Sequence, residues 1–370
     1  MMSSLKQILL LAMLAISSSV YGHSLNDSYL QLSISDSKYS GRLQIALSDL
    51  EIAIGLDADH NQELTWGELK SASPMIDVYI HERFSLQAGE QVCESNLGNY
   101  RLEELSGGVY LNIPMQGECS SSGDLSIGYS MLFDVDSSHR GIASINWGSK
   151  SSSYVFSPRT QSIEFDSRSN GLAVSLVNFI LEGVWHIWIG IDHVLFILAM
   201  LFGVILHQQD SSNSKPSWRK TCTDVVKLVT AFTLAHSLTL LLSTLGLVRL
   251  QEQFVESAIA LSVLAGGINI LFPIFGNQHW KFAFVFGLIH GFGFANVLMD
   301  LELSTNQLIA GLLGFNLGVE FGQFIIVVMV APILVFICKR DWTRRIGSIA
   351  GGIVVSQMGL FWFFQRGLGM

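Results

Sequence analysis

Six long apolar segments occupy the second half of the chain, at about 187–206, 225–247, 254–272, 281–299, 308–337 and 346–365. Each is long enough to cross a hydrocarbon core of ~30 Å as a helix, for which ~20 residues suffice. Every backbone N–H and C=O in that core must be satisfied within the segment, so runs of this kind specify helices. The expected fold is an α-helical polytopic membrane domain with about six spans, over residues 187–370. The composition agrees. Charged residues make up only 14% of the chain, against roughly 25% in soluble domains, and the shortage is greatest in this half.

The region before it is mixed and polar. Residues 1–22 read as a secretory signal peptide, with Lys6, a short apolar run over 8–16, and Val20 and Gly22 at −3 and −1 of a cut before His23. Residues 23–165 are expected to form an exported, β-rich domain. Runs of β composition at 29–34, 42–47, 108–114, 125–135 and 142–147 are separated by Ser, Gly and Asn, the pattern of a small antiparallel sandwich. A helical insertion is expected over 48–72, a last strand lies within 148–170, and 166–186 serves as linker and interfacial segment. In an oxidising compartment Cys93 and Cys119 are expected to pair. Lys215, Arg219, Lys220, Lys281, Lys339, Arg340, Arg344 and Arg345 flank one end of the spans, whereas the opposite loops hold Arg249 with Glu252, Asp300 and Glu302. The positive-inside rule then places the chain in the plasma (bacterial inner) membrane, with the N-terminal domain and the C-terminus on the extracytoplasmic side. A net charge of −9 leaves no basic footprint for nucleic acid.

Within the exported domain, Asp57, Asp59, Asn61, Glu63 and Glu68 fall at positions 1, 3, 5, 7 and 12 of an EF-hand loop over 57–68. Position 7 ligates through its backbone carbonyl, so a Glu is tolerated there. Position 6, where Gly usually makes the sharp turn, is Gln62, which implies a left-handed backbone at a non-glycine residue. The expectation is a structural calcium ion.

Ionisable groups inside spans cost about 2.5–3.5 kcal/mol each at the centre on insertion scales, and so mark function. The first span carries Glu182, His186, Asp192 and His193, with Gly190 on the stripe that joins Glu182, His186 and His193 at helical spacing. His236 lies in the second span, His290 in the fourth, and Asn316, Glu320 and Gln323 form one stripe on the fifth. Imidazole with carboxylate and amide oxygen suits divalent nickel, cobalt, copper or zinc. Residues 172–206 run to roughly 52 Å as one helix, too long for a single crossing, so either an interfacial helix before the span or a break near Gly183 or Gly190 is expected. The fifth segment is expected to bend at Gly314, Gly318, Gly322 or Pro332. Neither an H-E-x-x-H motif nor a phosphate-binding P-loop occurs, and the chain is read as no enzyme.

His186-x5-Asp192-His193 around Gly190, Thr230-Ala-Phe-Thr-x-Ala-His236-Ser-x-Thr-Leu240, Gly287-Leu-Ile-His-Gly-x-Gly-Phe-Ala295 and Phe315-Asn-x-Gly-Val-Glu320-x-Gly-Gln323 together resemble the HupE/UreJ family of hydrogenase- and urease-associated nickel permeases. They look most like its branch with a large exported N-terminal domain. The resemblance implies uptake of Ni(2+), with Co, Zn or Cu as alternatives, and without a P-loop the transport is expected to be secondary or channel-like. It also implies that the first-span His and Asp residues are required, and that metalloenzyme maturation proteins are partners. The other reading is a non-transporting accessory or metal-sensing protein that works through its exported domain.

Overall fold

A computed structural model describes residues 27–35, 37–89, 91–105, 108–119, 125–148, 150–165, 171–210, 218–293 and 303–368. The proposed signal peptide, its cut before His23 and Asn296 lie outside the described residues.

β1 (Ser28–Ser35) and β2 (Lys38–Ala46) form a hairpin in which Leu30 faces Leu43. Three helices follow: α1 (Leu47–Ile54), α2 (Trp66–Ser71) and α3 (Ser73–Arg83). The insertion thus runs past the expected 48–72. Ile76, Tyr79 and Ile80, at helical spacing on α3, are buried in the sandwich core, and Pro74 opens that helix where its missing N–H costs nothing. Next come β3 (Phe84–Ala88), β4 (Gln91–Val92), β5 (Asn96–Leu97), β6 (Arg101–Leu105), β7 (Gly108–Glu118), β8 (Leu125–Tyr129), β9 (Gly141–Trp147), β10 (Lys150–Phe156) and β11 (Ser162–Phe165). One sheet has the order β10-β9-β1-β2-β7-β5, with β6 also on β7, and the other has the order β11-β8-β3-β4. The sandwich is antiparallel except that β1 and β9 pair in parallel. Its core is made by inward residues of alternating strands, among them Leu43, Ile45, Ile113, Ile127 and Phe156. The run expected as one strand over 125–135 stops at Tyr129. Leu132 then turns the chain with φ 63° while its side chain stays buried, and its N–H is taken by the Tyr79 hydroxyl at 3.0 Å. Cys93 and Cys119 are bridged across a sequence separation of 26.

The membrane half is all helical among the described residues: α4 (Gly171–Ile189), α5 (Ile191–Asp210), α6 (Trp218–Thr244), α7 (Glu252–Leu271), α8 (His279–His290), α9 (Thr305–Cys338) and α10 (Asp341–Leu368). Five of them, α4, α6, α7, α9 and α10, are long and apolar enough to cross a membrane, and the apolar part of α5 (Ile191–Leu206) is shorter. The chain is a membrane protein. The segment expected at 281–299 is described only as α8 and the turn to Gly293.

Small residues set the packing. Three pairs touch backbone to backbone: α4 with α9, α6 with α8, and α7 with α10. A Cβ on Gly318 would lie 2.1 Å from the Ile180 carbonyl oxygen, one on Gly287 2.5 Å from that of Phe232, and one on Gly359 2.4 Å from the Leu264 nitrogen. Such close approach gains van der Waals contact where the hydrophobic effect cannot drive association. It also gives the glycines of α9 a role: Gly314, Gly318 and Gly322 form a seam against α4, and the helix is continuous through them and through Pro332. α5 is the central helix. Phe196, Ile197, Ala199, Met200, Leu201, Phe202, Val204 and Ile205 are all buried, which accounts for its being apolar on every side.

α4 and α9 start together at the β domain. Asn178 Nδ2 donates to the Ser153 carbonyl at 2.9 Å, and Gln307 Nε2 donates to Ser153 Oγ at 3.2 Å. The guanidinium of Arg159 lies 4.6 Å from the Trp185 ring centre. At 34 residues, or ~51 Å, α9 exceeds a hydrocarbon core, and its first turns serve as a buttress for the sandwich.

Candidate metal-binding site

The helix that begins at Gly171 breaks at Gly190, and the break builds the site. A Cβ at position 190 would sit 2.6 Å from His193 Nδ1 and 2.9 Å from the His186 carbonyl oxygen, so only glycine leaves the His193 ring where it is. The break keeps the helical spacing almost intact: Gly190 N donates to His186 O and Val194 N to Gly190 O, both at 3.0 Å. His186 at the end of α4 and His193 at the start of α5 therefore face each other, with ring centres 4.8 Å apart. His290, the last residue of α8, stands 4.7 Å from His193 as well. Three imidazoles from three helices form a row.

The hydrogen bonds fix which nitrogens are free. Asp192 Oδ1 lies 2.9 Å from His193 Nδ1. A carboxylate only accepts, so Nδ1 carries a proton, and in the neutral ring Nε2 is the lone-pair nitrogen. That Nε2 is buried without a hydrogen-bond partner. For His290, Nε2 contacts Ser262 Oγ at 3.0 Å, and the Ser262 hydroxyl already donates to the Ile259 carbonyl at 2.6 Å. Ser262 must then accept from His290 Nε2–H, which leaves Nδ1 as the lone-pair nitrogen, again buried without a partner. An orphaned buried acceptor costs about 1–3 kcal/mol. Two of them stand on adjacent rings. Asp192 and Ser262 orient these imidazoles, the arrangement that outer partners give to histidines at metal sites.

The row lines a cavity of about 350 Å³ at the domain-facing end of the bundle, where Ser138 of the sandwich, Glu256 and Arg366 also contribute to the wall. Beneath it, Phe196 packs 5.5 Å from His290, 5.6 Å from Phe232 and 5.5 Å from Phe286, an aromatic floor.

The other residues picked from the sequence are placed apart from the row. His236 is fully buried, both its ring nitrogens lack partners, and it stacks between Phe232 and Phe315 at 6.0 and 6.2 Å. Phe315 in turn contacts His186 at 5.2 Å, so His236 stands one ring behind the row. Gln323 accepts from Thr233 Oγ1 at 3.1 Å, and Asn316 donates to its own helix at Leu312 O, 2.7 Å away. Glu320 lies on a separate, mostly apolar groove between α6 and α9, beside Thr230 and Phe324.

Arg366, on the last turn of α10, was not singled out from the sequence, although an Arg next to an apolar segment is the signal that should have found it. Its Nη1 donates to Asp192 Oδ2 at 3.1 Å.

In the sandwich, Asp57, Asp59 and Glu68 bring one carboxylate oxygen each to within 4.8 Å of one another, and among the described residues no other group of three His, Cys, Asp or Glu does so. The histidine row is more open than that. Gln62 has φ 67°, the left-handed turn expected at position 6, and His60 has φ 58°. Partial desolvation raises the Asp57 pKa, but the backbone N–H groups of Gln62 and Asn61 outweigh it and hold the carboxyl below its ordinary value. Hydrogen bonds from the Thr65 hydroxyl and N–H lower that of Glu68 in the same way. Both groups are poised as anions. The Glu63 carboxylate is not in this converging group, and its backbone N–H donates to Asn61 Oδ1 at 2.6 Å.

Residues 162–366, more than half of the chain, match the family described as HupE / UreJ protein. The chain belongs to the HupE/UreJ family. No curated protein matches it. Membership links this membrane protein to nickel or cobalt transport or to hydrogenase or urease maturation, the work of a family of transporters and accessory proteins. The match covers β11 and all the membrane helices, including every member of the histidine row, and leaves most of the sandwich outside.

Proposed function

We propose that this HupE/UreJ protein is a secondary permease for a divalent transition-metal cation, nickel first, and that His186, His193 and His290 form its transport site. The observation that carries this reading is the pair of buried, unpaired ring nitrogens on His193 and His290 at the bottom of a cavity open towards the β domain. A divalent ion entering hydrocarbon must exchange its water shell for protein donors. A row of neutral imidazoles supplies strong nitrogen ligands one after another, whereas a closed cage would hold the ion fast. His236, behind the Phe315 ring, is the next station inward.

The orientation that fits is the β domain and C-terminus outside. Arg219, Lys220, Lys281, Lys339, Arg340, Arg344 and Arg345 all sit at the helix ends remote from the sandwich, and cytoplasmic ends carry such charge. A reporter fused after Met370 is expected to be active on the extracytoplasmic side, and activity on the cytoplasmic side refutes this orientation.

The test of function is flux. Purified protein in vesicles loaded with a nickel-sensitive dye should admit Ni(2+) down its gradient, with cobalt competing. Nickel binding without flux would instead identify an accessory or sensing protein.

The loop over 57–68 is proposed to hold a structural calcium ion. Single extracellular EF-hand loops bind at roughly 10⁻⁴–10⁻³ M, so ~10 mM calcium should raise the melting transition of the sandwich by about 5 °C. Asp57→Ala should remove that shift. A wild-type chain indifferent to calcium would leave the loop as a plain connection between α1 and α2.

A further inference from the structure

This inference rests on the metal-transport reading of the histidine row and concerns what keeps the metal from staying there. Both oxygens of Asp192 are engaged: Oδ1 with His193, and Oδ2 with Arg366 at 3.1 Å, from a residue 174 positions away. The carboxylate is nearly buried, its side chain 13% exposed, while the Arg366 side chain is 26% exposed. Arg366 lines the same cavity as the three histidines. The tip of its helix is held in place, since Gln253 at the start of α7 donates to the Gly367 carbonyl at 3.0 Å.

A guanidinium does not lose its proton in a protein, so pH cannot switch off its charge. We infer that Arg366 is a tethered counter-cation. It neutralises Asp192 while the cavity is empty of metal, opposes the divalent ion when that ion reaches His193, and so sets the affinity low enough for onward release.

Charge and geometry both support this. Without Arg366, an ionised carboxylate in a recess of low dielectric would turn the row into a trap for a divalent ion, because a buried anion with no partner is costly and seeks a cation. With Arg366, the Asp192–Arg366 pair is neutral and the incoming ion meets only the imidazoles. The contact is also loose. It uses a single Nη1–H rather than the two-pronged fork that Arg gives where binding is meant to be permanent. The guanidinium carbon lies 5.5 Å from the Trp362 ring centre, so an aromatic face stands ready to receive the cation when it leaves Asp192.

The experiment is equilibrium titration of the full-length protein in detergent with nickel chloride, together with flux in vesicles. Arg366→Gln is expected to bind Ni(2+) roughly tenfold more tightly or better, and to pass it more slowly because release becomes limiting. Arg366→Lys, which keeps the charge on a shorter reach, should fall between. A chain ended at Gln365 removes the guanidinium by a different route and should behave like Arg366→Gln. Whichever of these two variants keeps the wild-type melting temperature decides the matter. Tighter binding with slower flux supports the inference. Unchanged or weaker binding, beside a wild type that binds and transports, overturns it and leaves the transport reading standing. A wild type that binds no nickel overturns the transport reading itself.

Discussion

His193→Ala is expected to abolish both nickel binding and nickel flux at matched membrane abundance. His193 is the middle ring of the row, 4.8 Å from His186 and 4.7 Å from His290, so its loss breaks the chain of donors in two. The change should not unfold the bundle, because the ring's Nε2 has no hydrogen-bond partner and its Nδ1 bonds only to the adjacent Asp192. Asp192→Asn should act through His193 rather than beside it. The amide no longer fixes the proton on Nδ1, and loss of such an outer partner typically costs 10–100-fold in affinity. The contrast is the informative part: abolition at His193, graded weakening at Asp192. Equilibrium dialysis with Ni(2+), set beside dye-loaded vesicles, reads both. A His193→Ala variant that still binds and passes nickel would remove the row from the mechanism, and equal abolition at Asp192 would make that carboxylate a ligand in its own right.

Much of this site was legible in the sequence because its signals are local. Charged and imidazole groups in apolar runs stand out whatever surrounds them, and a glycine between two histidines in a segment too long for one crossing points to a break. What could not be read is partnership across helices. Asn316, Glu320 and Gln323 share one stripe by helical arithmetic, yet they meet different surroundings: Gln323 bonds to Thr233 in the buried contact with α6, while Glu320 lies on the groove beside Thr230 and Asn316 bonds back to Leu312 of its own helix. The glycines of α9 look like hinges along one chain, and only the facing α4 shows them to be a seam. Ser262 is an unremarkable polar residue until its hydroxyl is seen to select the tautomer of His290. In the sandwich, the disulfide followed from two cysteines in an exported domain and β1 from its composition, whereas the parallel pairing of β1 with β9 depends on contacts more than a hundred residues apart.

The junction between sandwich and membrane helices carries the second large effect, a dependence of stability on pH. Asp27, at the head of β1, keeps part of its residue surface accessible, but its carboxyl is enclosed where the sandwich meets α4. Burial raises its pKa from 3.8 to about 7, and the nearby carboxylates of Glu182 and Asp49 push the same way, while Arg140 offsets them only in part. Arg140 is shared, lying 3.7 Å from Glu182 on α4. The sign follows from proton binding. Between pH ~4 and ~7 the folded chain holds a proton on Asp27 that the unfolded chain has lost, so this group's contribution is greatest at low pH. It declines by about 1.4 kcal/mol per unit as pH rises, and is gone above ~7, up to about 4 kcal/mol in all. Asp27→Asn keeps the shape and removes the charge. The variant should therefore match the wild type near pH 4 and melt at a higher temperature than it at pH 8. The difference in melting temperature between the two full-length proteins, followed from pH 5 to pH 8 in detergent, isolates this group from all others that titrate. A difference that stays flat across that range would mean that Asp27 is already ionised where the sandwich docks on the membrane helices.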